Sequence, residues 1–181
     1  MPLVRLFLVL LLLCSGVARA EGIVVKAAEL GLDEEERYVL NAEFEFGFNA
    51  TLEEALQHGV PLYFTLEFEL TRPRWYWLDE SVSVQQFTYR VSYHALTRQY
   101  RLSSGLYTQN VAALEDVLRL LTRVRGRPVV EKGLLQKGVA YEAAVRLRLD
   151  VTQMPKPFQL SALGSRDWNL QSEWRRWTLA P

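Results

Sequence analysis

Three segments of this chain alternate apolar and polar residues with a period of two, and that pattern restricts them to strands with one buried side. From Tyr38 onward, Leu40, Ala42, Phe44, Phe46 and Phe48 fall on one face and Asn41, Glu43 and Glu45 on the other. From Leu62, the residues Phe64, Leu66, Phe68 and Leu70 face inward, with Thr65, Glu67 and Glu69 outward. The third runs from Tyr141 through Ala143, Val145, Leu147, Leu149 and Val151, with Glu142, Arg146, Arg148 and Asp150 toward water. Strict alternation marks a half-buried strand, whereas strands of a parallel sheet covered on both faces read as continuous apolar runs. An antiparallel sheet is therefore expected.

Less regular segments supply further strands. Ile23 to Leu30 reads as the first. Between Ser81 and Tyr93 the apolar parity changes from Val82 and Val84 to Phe87, Tyr89, Val91 and Tyr93, which predicts a bulge near Gln85-Gln86. Arg98 to Ser103 follows the turn Ala95-Leu96-Thr97 as a hairpin strand, and Trp168, Leu170, Ser172 and Trp174 share one face of a terminal strand. Two helices are expected among them. Thr51-Leu52-Glu53-Glu54 has the form of a capping box, with Gly59 and Pro61 as the stop. From about Asn110 to Arg125, Leu114, Val117, Leu118, Leu121 and Val124 form a stripe at helical spacing, with Arg119, Arg123 and Arg125 complementing the helix dipole and Gly126 and Pro128 at the exit. The expected fold is a mainly β, two-sheet antiparallel sandwich, immunoglobulin-like or related, with one or two short helices after an N-terminal signal helix.

That signal helix is expected at residues 1–20. Arg5 precedes an unbroken apolar run from Leu6 to Cys14, and Ala18 and Ala20 stand where a signal peptidase reads small residues, immediately before Glu21. The run is too short for a spanning helix, which needs roughly 20 apolar residues. Leu11-Leu12-Leu13 before Cys14 lacks the small residue that a lipoprotein cysteine follows. Cleavage after Ala20 leaves residues 21–181 as one sandwich domain, with no stable membrane anchor and a periplasmic location. It also removes the chain's one cysteine, so burial must do what disulfides do in many small secreted domains. Loss of Arg5 and Arg19 takes 21 basic residues to 19 against 21 acidic ones, a net charge of −2. That balance disfavours nucleic acid as a partner, since polyanions select concentrated positive charge.

Catalytic signatures are missing from the sequence. The two histidines, His58 and His94, have no metal-ligand spacing around them. Ser103-Ser104-Gly105 reads as a turn rather than a nucleophile elbow, and the glycines form no phosphate-binding loop. Glu43, Glu45, Glu67 and Glu69 are expected to be solvated on outward strand faces, and Asp33-Glu34-Glu35-Glu36 reads as an acidic turn. No cofactor and no metal is expected. A glycan hydrolase using two of the outward carboxylates is the alternative, and it would need a shaped pocket holding both.

The candidate binding surface is Arg72-Pro73-Arg74-Trp75-Tyr76-Trp77. Pro73 places the segment at a strand end or connection, and three consecutive aromatics cannot all point inward. Exposed Trp and Tyr beside Arg is the composition of binding hot spots. The competing reading has Trp75 and Trp77 capping the core while Arg72, Arg74 and Tyr76 reach to solvent. A second aromatic-basic cluster is Trp174-Arg175-Arg176-Trp177.

Arg72 to Trp77, Tyr93-His94-Ala95-Leu96-Thr97-Arg98-Gln99-Tyr100, Leu149-Asp150 through Pro155-Lys156-Pro157-Phe158-Gln159, and Asp167-Trp168-Asn169-Leu170 with Trp174 together resemble a family of small exported proteobacterial proteins, domain of unknown function 4390. The resemblance spans nearly all of the chain after the leader. It implies a Gram-negative envelope and brings no activity, cofactor or catalytic residue. The expectation is thus a non-enzymatic binding or accessory module whose partner is an envelope protein or polymer.

Overall fold

A computed structural model describes residues 22–76, 78–131 and 133–181, so the expected signal helix and Trp77 lie outside the described residues. In chain order the elements are β1 (Val24–Leu32), β2 (Tyr38–Glu45), α1 (Ala50–Gln57), β3 (Leu62–Arg72), β4 (Glu80–His94), β5 (Gln99–Ser104), β6 (Tyr107–Val111), α2 (Leu114–Thr122), β7 (Arg123–Val130), β8 (Tyr141–Leu149), α3 (Lys156–Ala162) and β9 (Arg175–Leu179). Turns of 3₁₀ helix occupy Val151–Gln153 and Arg166–Trp168. The strands form a three-stranded sheet, β1-β2-β7, and a six-stranded sheet, β6-β5-β4-β3-β8-β9, with antiparallel pairing throughout. This is the mainly β sandwich that the alternation predicts.

Strand β3 is the centre of the large sheet. Its inward residues Leu62, Phe64, Leu66, Phe68 and Leu70 are fully buried, and they meet Leu40, Ala42 and Phe44 of β2 and Val145 and Leu147 of β8 in the same core. Phe48 stacks on Phe64 with ring centroids 5.6 Å apart, and Phe46 lies 5.7 Å from the same ring. Apolar burial on this scale stabilises by about 1.5–3 kcal/mol per large side chain, which is how a chain without internal disulfides holds two sheets together. Helix α2 closes one side of the sandwich with Val117 and Leu121 buried, and α1 contributes Leu52, Ala55 and Leu56.

Four local expectations are corrected. The bulge in β4 is not at Gln85-Gln86: register with β3 is continuous there and shifts opposite Leu70 and Thr71, whose partners are Ser83 and Ser81. Ser83 Oγ donates to the Val129 carbonyl at 2.6 Å, anchoring that point to β7. The stripe from Asn110 to Arg125 is divided among three elements, β6, α2 and β7. Arg123 and Val124 leave the helix because they pair with Glu43 and Ala42 of β2, so of the three expected arginines only Arg119 sits in the last helical turn.

At α1 the cap is Asn49 rather than Thr51. Asn49 Oδ1 accepts from the Leu52 N–H at 2.9 Å and its Nδ2 donates to the Asp167 carbonyl at 2.8 Å, while the Thr51 hydroxyl donates to the Asp167 carboxylate at 3.1 Å. The stop is as expected: Gly59 takes φ +81°, a left-handed conformation natural to glycine, and its N–H donates to the Leu56 carbonyl at 2.8 Å. At the end of the chain Trp168, Leu170 and Ser172 are buried as the shared face requires, yet Trp168 belongs to a 3₁₀ turn and the strand itself begins at Arg175.

Candidate binding surface

The segment from Arg72 to Tyr76 forms the end of β3 and the start of its hairpin loop to β4, beyond the last pair Arg72↔Glu80. Pro73 carries no N–H and follows the point where the ladder stops, so the chain leaves the sheet there. Trp75 is 94 % exposed, Tyr76 65 % and Leu78 80 %. Trp75 therefore does not cap the core. The two rings meet edge to face, with centroids 5.2 Å apart and planes at 74°. Arg74 holds the base of the loop: its guanidinium bonds Glu80 at 2.5 Å and its backbone N–H donates to Asp79 Oδ1 at 3.3 Å. The loop presents aromatic surface to solvent on a base tied by charge.

The cluster Trp174 to Trp177 divides between the faces of the large sheet. Trp177 packs against the core, and the Arg146 guanidinium lies 4.5 Å over the Trp174 ring. Arg176 pairs with Glu142 at 3.4 Å on the outward side.

Outward acids are not uniformly solvated. Thr65 and Glu67 are 2 % and 6 % exposed, contrary to the expectation of solvated charge, because Glu67 lies opposite Arg146 in the β3–β8 register and is diagonal to Arg148. Arg146 and Arg148 both bond the Glu67 carboxylate, Arg148 at 3.0 Å, and Arg148 reaches Asp150 at 3.2 Å. Two carboxylates and two guanidiniums thus neutralise one another over β3, and Trp174 extends the cover. Asp150 also accepts from the hydroxyl of Thr152 at 2.6 Å and the amide of Gln153 at 2.8 Å. Burial alone would raise its pKa, but these hydrogen bonds and the Arg148 charge prevail and hold it at about 2. Of the remaining strand acids, Glu43 lies 3.9 Å from Arg123 and Glu45 bonds Lys26 at 2.8 Å.

The histidines are placed in local structure. His58 Nδ1 meets the Glu54 carbonyl at 2.8 Å at the end of α1, and His94 Nδ1 meets the Thr97 hydroxyl at 3.2 Å in the β4–β5 turn. A cleft of 680 Å³ is lined by both apolar and polar side chains, among them Lys26, Glu45, Phe46, Phe48, Asn49 and Asp167. No motif marks it in the sequence, because its walls come from β1, β2 and the segment around Asp167.

These features define a class: an antiparallel β-sandwich that carries an exposed aromatic hairpin loop on its large sheet. The chain belongs to the family described as Domain of unknown function (DUF4390), whose model matches residues 20–178. No curated protein matches it, and no solved structure matches it.

Proposed function

We propose that this protein is exported, released by cleavage after Ala20, and acts in the Gram-negative periplasm as a non-enzymatic accessory module that engages an envelope protein or polymer through the β3–β4 loop. The observation that carries this reading is the exposure of Trp75, Tyr76 and Leu78 on a loop whose base is tied by Arg74 and Glu80. Large aromatic groups lose little conformational entropy on binding and bury much area, so evolution seldom leaves them in water without a partner to cover them. The positive flank, apolar run and small residues of the leader support export.

Crosslinking in living cells followed by mass spectrometry tests the reading. A defined envelope partner is expected with the native chain and is lost with Trp75→Ala/Tyr76→Ala, while the melting temperature is almost unchanged. Retention of the partner by the variant, or a large drop in its melting temperature, overturns the assignment of the loop. A periplasmic form whose sequence begins at Glu21 is expected; a cytoplasmic form retaining Met1 overturns the location.

A further inference from the structure

The two open sheets have four edges among the described residues: β1 and β7 in the small sheet, β6 and β9 in the large one. Unpaired N–H and C=O groups along an edge invite another strand, and natural edges are guarded by charge, proline or a bulge. β1 carries Lys26 at a register shift between Val25 and Ala27. β7 carries Arg123, Arg125, Arg127 and Pro128, and its pairing with β2 shifts register twice. β9 begins with Arg175 and Arg176. In contrast β6, Tyr107-Thr108-Gln109-Asn110-Val111, has no charge and no proline, and its register with β5 is unbroken.

The turn before β6 decides which of its backbone groups are open. Gly105 takes φ +59°, and the two-residue loop Gly105-Leu106 closes on the pair Ser104↔Tyr107. Such a hairpin closes on a hydrogen-bonded pair, so alternation turns the backbone groups of Tyr107, Gln109 and Val111 toward β5 and those of Thr108 and Asn110 away from it.

We propose that β6 pairs antiparallel with β6 of a second copy of this chain, about a twofold axis through Gln109, joining two large sheets edge to edge. In this register Thr108 exchanges both backbone hydrogen bonds with Asn110 of the second copy, Asn110 does the same with Thr108 of the second copy, and Gln109 faces its own symmetry mate. Tyr107 faces Val111 of the second copy, a favourable aromatic and β-branched cross-strand pair, and no like charges oppose each other.

A second observation gives the ring a seat. Tyr107 is 58 % exposed, and a cleft of 330 Å³ lined by Gln109, Val111, Asp116, Arg119, Leu120 and Arg123 lies between β6 and α2. Tyr107 and Val111 stand two residues to either side of Gln109 on the same face as Leu102 of the core. A twofold axis at Gln109 therefore carries each Tyr107 toward the cleft of the other copy, the self-complementarity that a symmetric dimer requires. Five residues on each side make a small contact, so the association is weak and concentration-dependent.

Sedimentation velocity across micromolar to millimolar protein tests this. A reversible dimer is expected, weakened about tenfold or more by Asn110→Pro, which removes an outward N–H that β5 does not use. A monomer at every concentration, or a dimer equally strong in the variant, overturns the proposal. Independently of how well the proline variant folds, the pair Cys14→Ser/Gln109→Cys is expected to form a disulfide dimer on mild oxidation, and Cys14→Ser/Thr108→Cys is not. Equal crosslinking of both, or of neither, overturns the proposed register.

Discussion

Glu67 on β3 and Arg146 on β8 stand directly opposite each other in the large sheet, and their ion pair is closed over by Arg148 on the same strand as Arg146. With Glu67 only 6 % exposed, removing its charge leaves two guanidiniums that, among the described residues, have Asp150 as the one other buried carboxylate beside them.

Glu67→Gln is therefore expected to lower the free energy of unfolding by about 1–3 kcal/mol, less than the ~3–5 kcal/mol typical of breaking a fully buried pair. The reduction follows from Arg146 and Arg148, whose side chains are 30 % and 27 % exposed and can recover some hydration. Glu69→Gln, two residues along the same outward face, is expected within about 0.5 kcal/mol of the native protein. Urea denaturation of both variants checks the contrast.

Asp150 predicts a pH limb. Its folded pKa of about 2 lies below the ordinary value of 3.8, so its stabilisation is complete above the unfolded value and is lost as pH falls through the folded one. Stability should thus drop between about pH 4 and pH 2, by on the order of 1–2 kcal/mol from this group, with allowance for the solvent contact that its partner Arg148 keeps. Asp150→Asn should cost stability at neutral pH, and the difference from the native protein should shrink toward pH 2. Denaturation curves at pH 7, 4 and 2.5 measure it.

The cap of α1 separates two neighbouring residues. Asn49→Ala removes the acceptor for the Leu52 N–H and the donor to the Asp167 carbonyl, with an expected cost of about 1–2 kcal/mol. Thr51→Ala removes one exposed bond to the Asp167 carboxylate and should cost about 0.5–1 kcal/mol. Thermal unfolding of the two variants should rank Asn49→Ala as the more damaging.

Trp75 offers an optical test. At 94 % exposure it should be the most readily quenched of the described tryptophans, with Trp168 at 8 % protected in the core. Trp75→Phe is expected to reduce the fraction of emission quenched by iodide while leaving stability within about 0.5 kcal/mol. Phe64→Ala, by comparison, should cost about 3–5 kcal/mol because its ring is fully enclosed.

Strands with uninterrupted alternation are legible from the residues alone, because a one-residue slip would turn Phe64, Leu66 and Phe68 to solvent. The stretch around Arg123 is not. Leu121 and Val124 fit a helical stripe, and Arg123-Val124-Arg125 equally fits a strand; only pairing with Glu43 and Ala42 selects the strand. Glu67 illustrates the same limit across strands. Arg146 and Arg148 are visible as outward residues, but which strand they face depends on the order of the large sheet, and alternation carries no such information. The capping-box pattern points to Thr51, whereas the cap is Asn49, and the contact that takes the Thr51 hydroxyl, the Asp167 carboxylate, lies far away along the chain. The candidate loop is legible in part, since Pro73 sets its place and three adjacent aromatics require exposure, while the protected state of Glu67 beneath its arginines is not.

The place of β8 between β3 and β9 also imposes a sequence of events during synthesis. β3, β4, β5 and β6 follow one another and can zip up as a meander as soon as they emerge, whereas β3 waits for residues 141–149 to supply its other neighbour. Until then the strand that supplies Leu62, Phe64, Leu66, Phe68 and Leu70 to the core has one bare side, and Glu67 lacks the arginines that meet it in the folded sheet. A nascent chain halted before Tyr141 would therefore be the species in greatest need of a chaperone, and the segment from Tyr141 onward adds the last two of six strands to a sheet begun long before it.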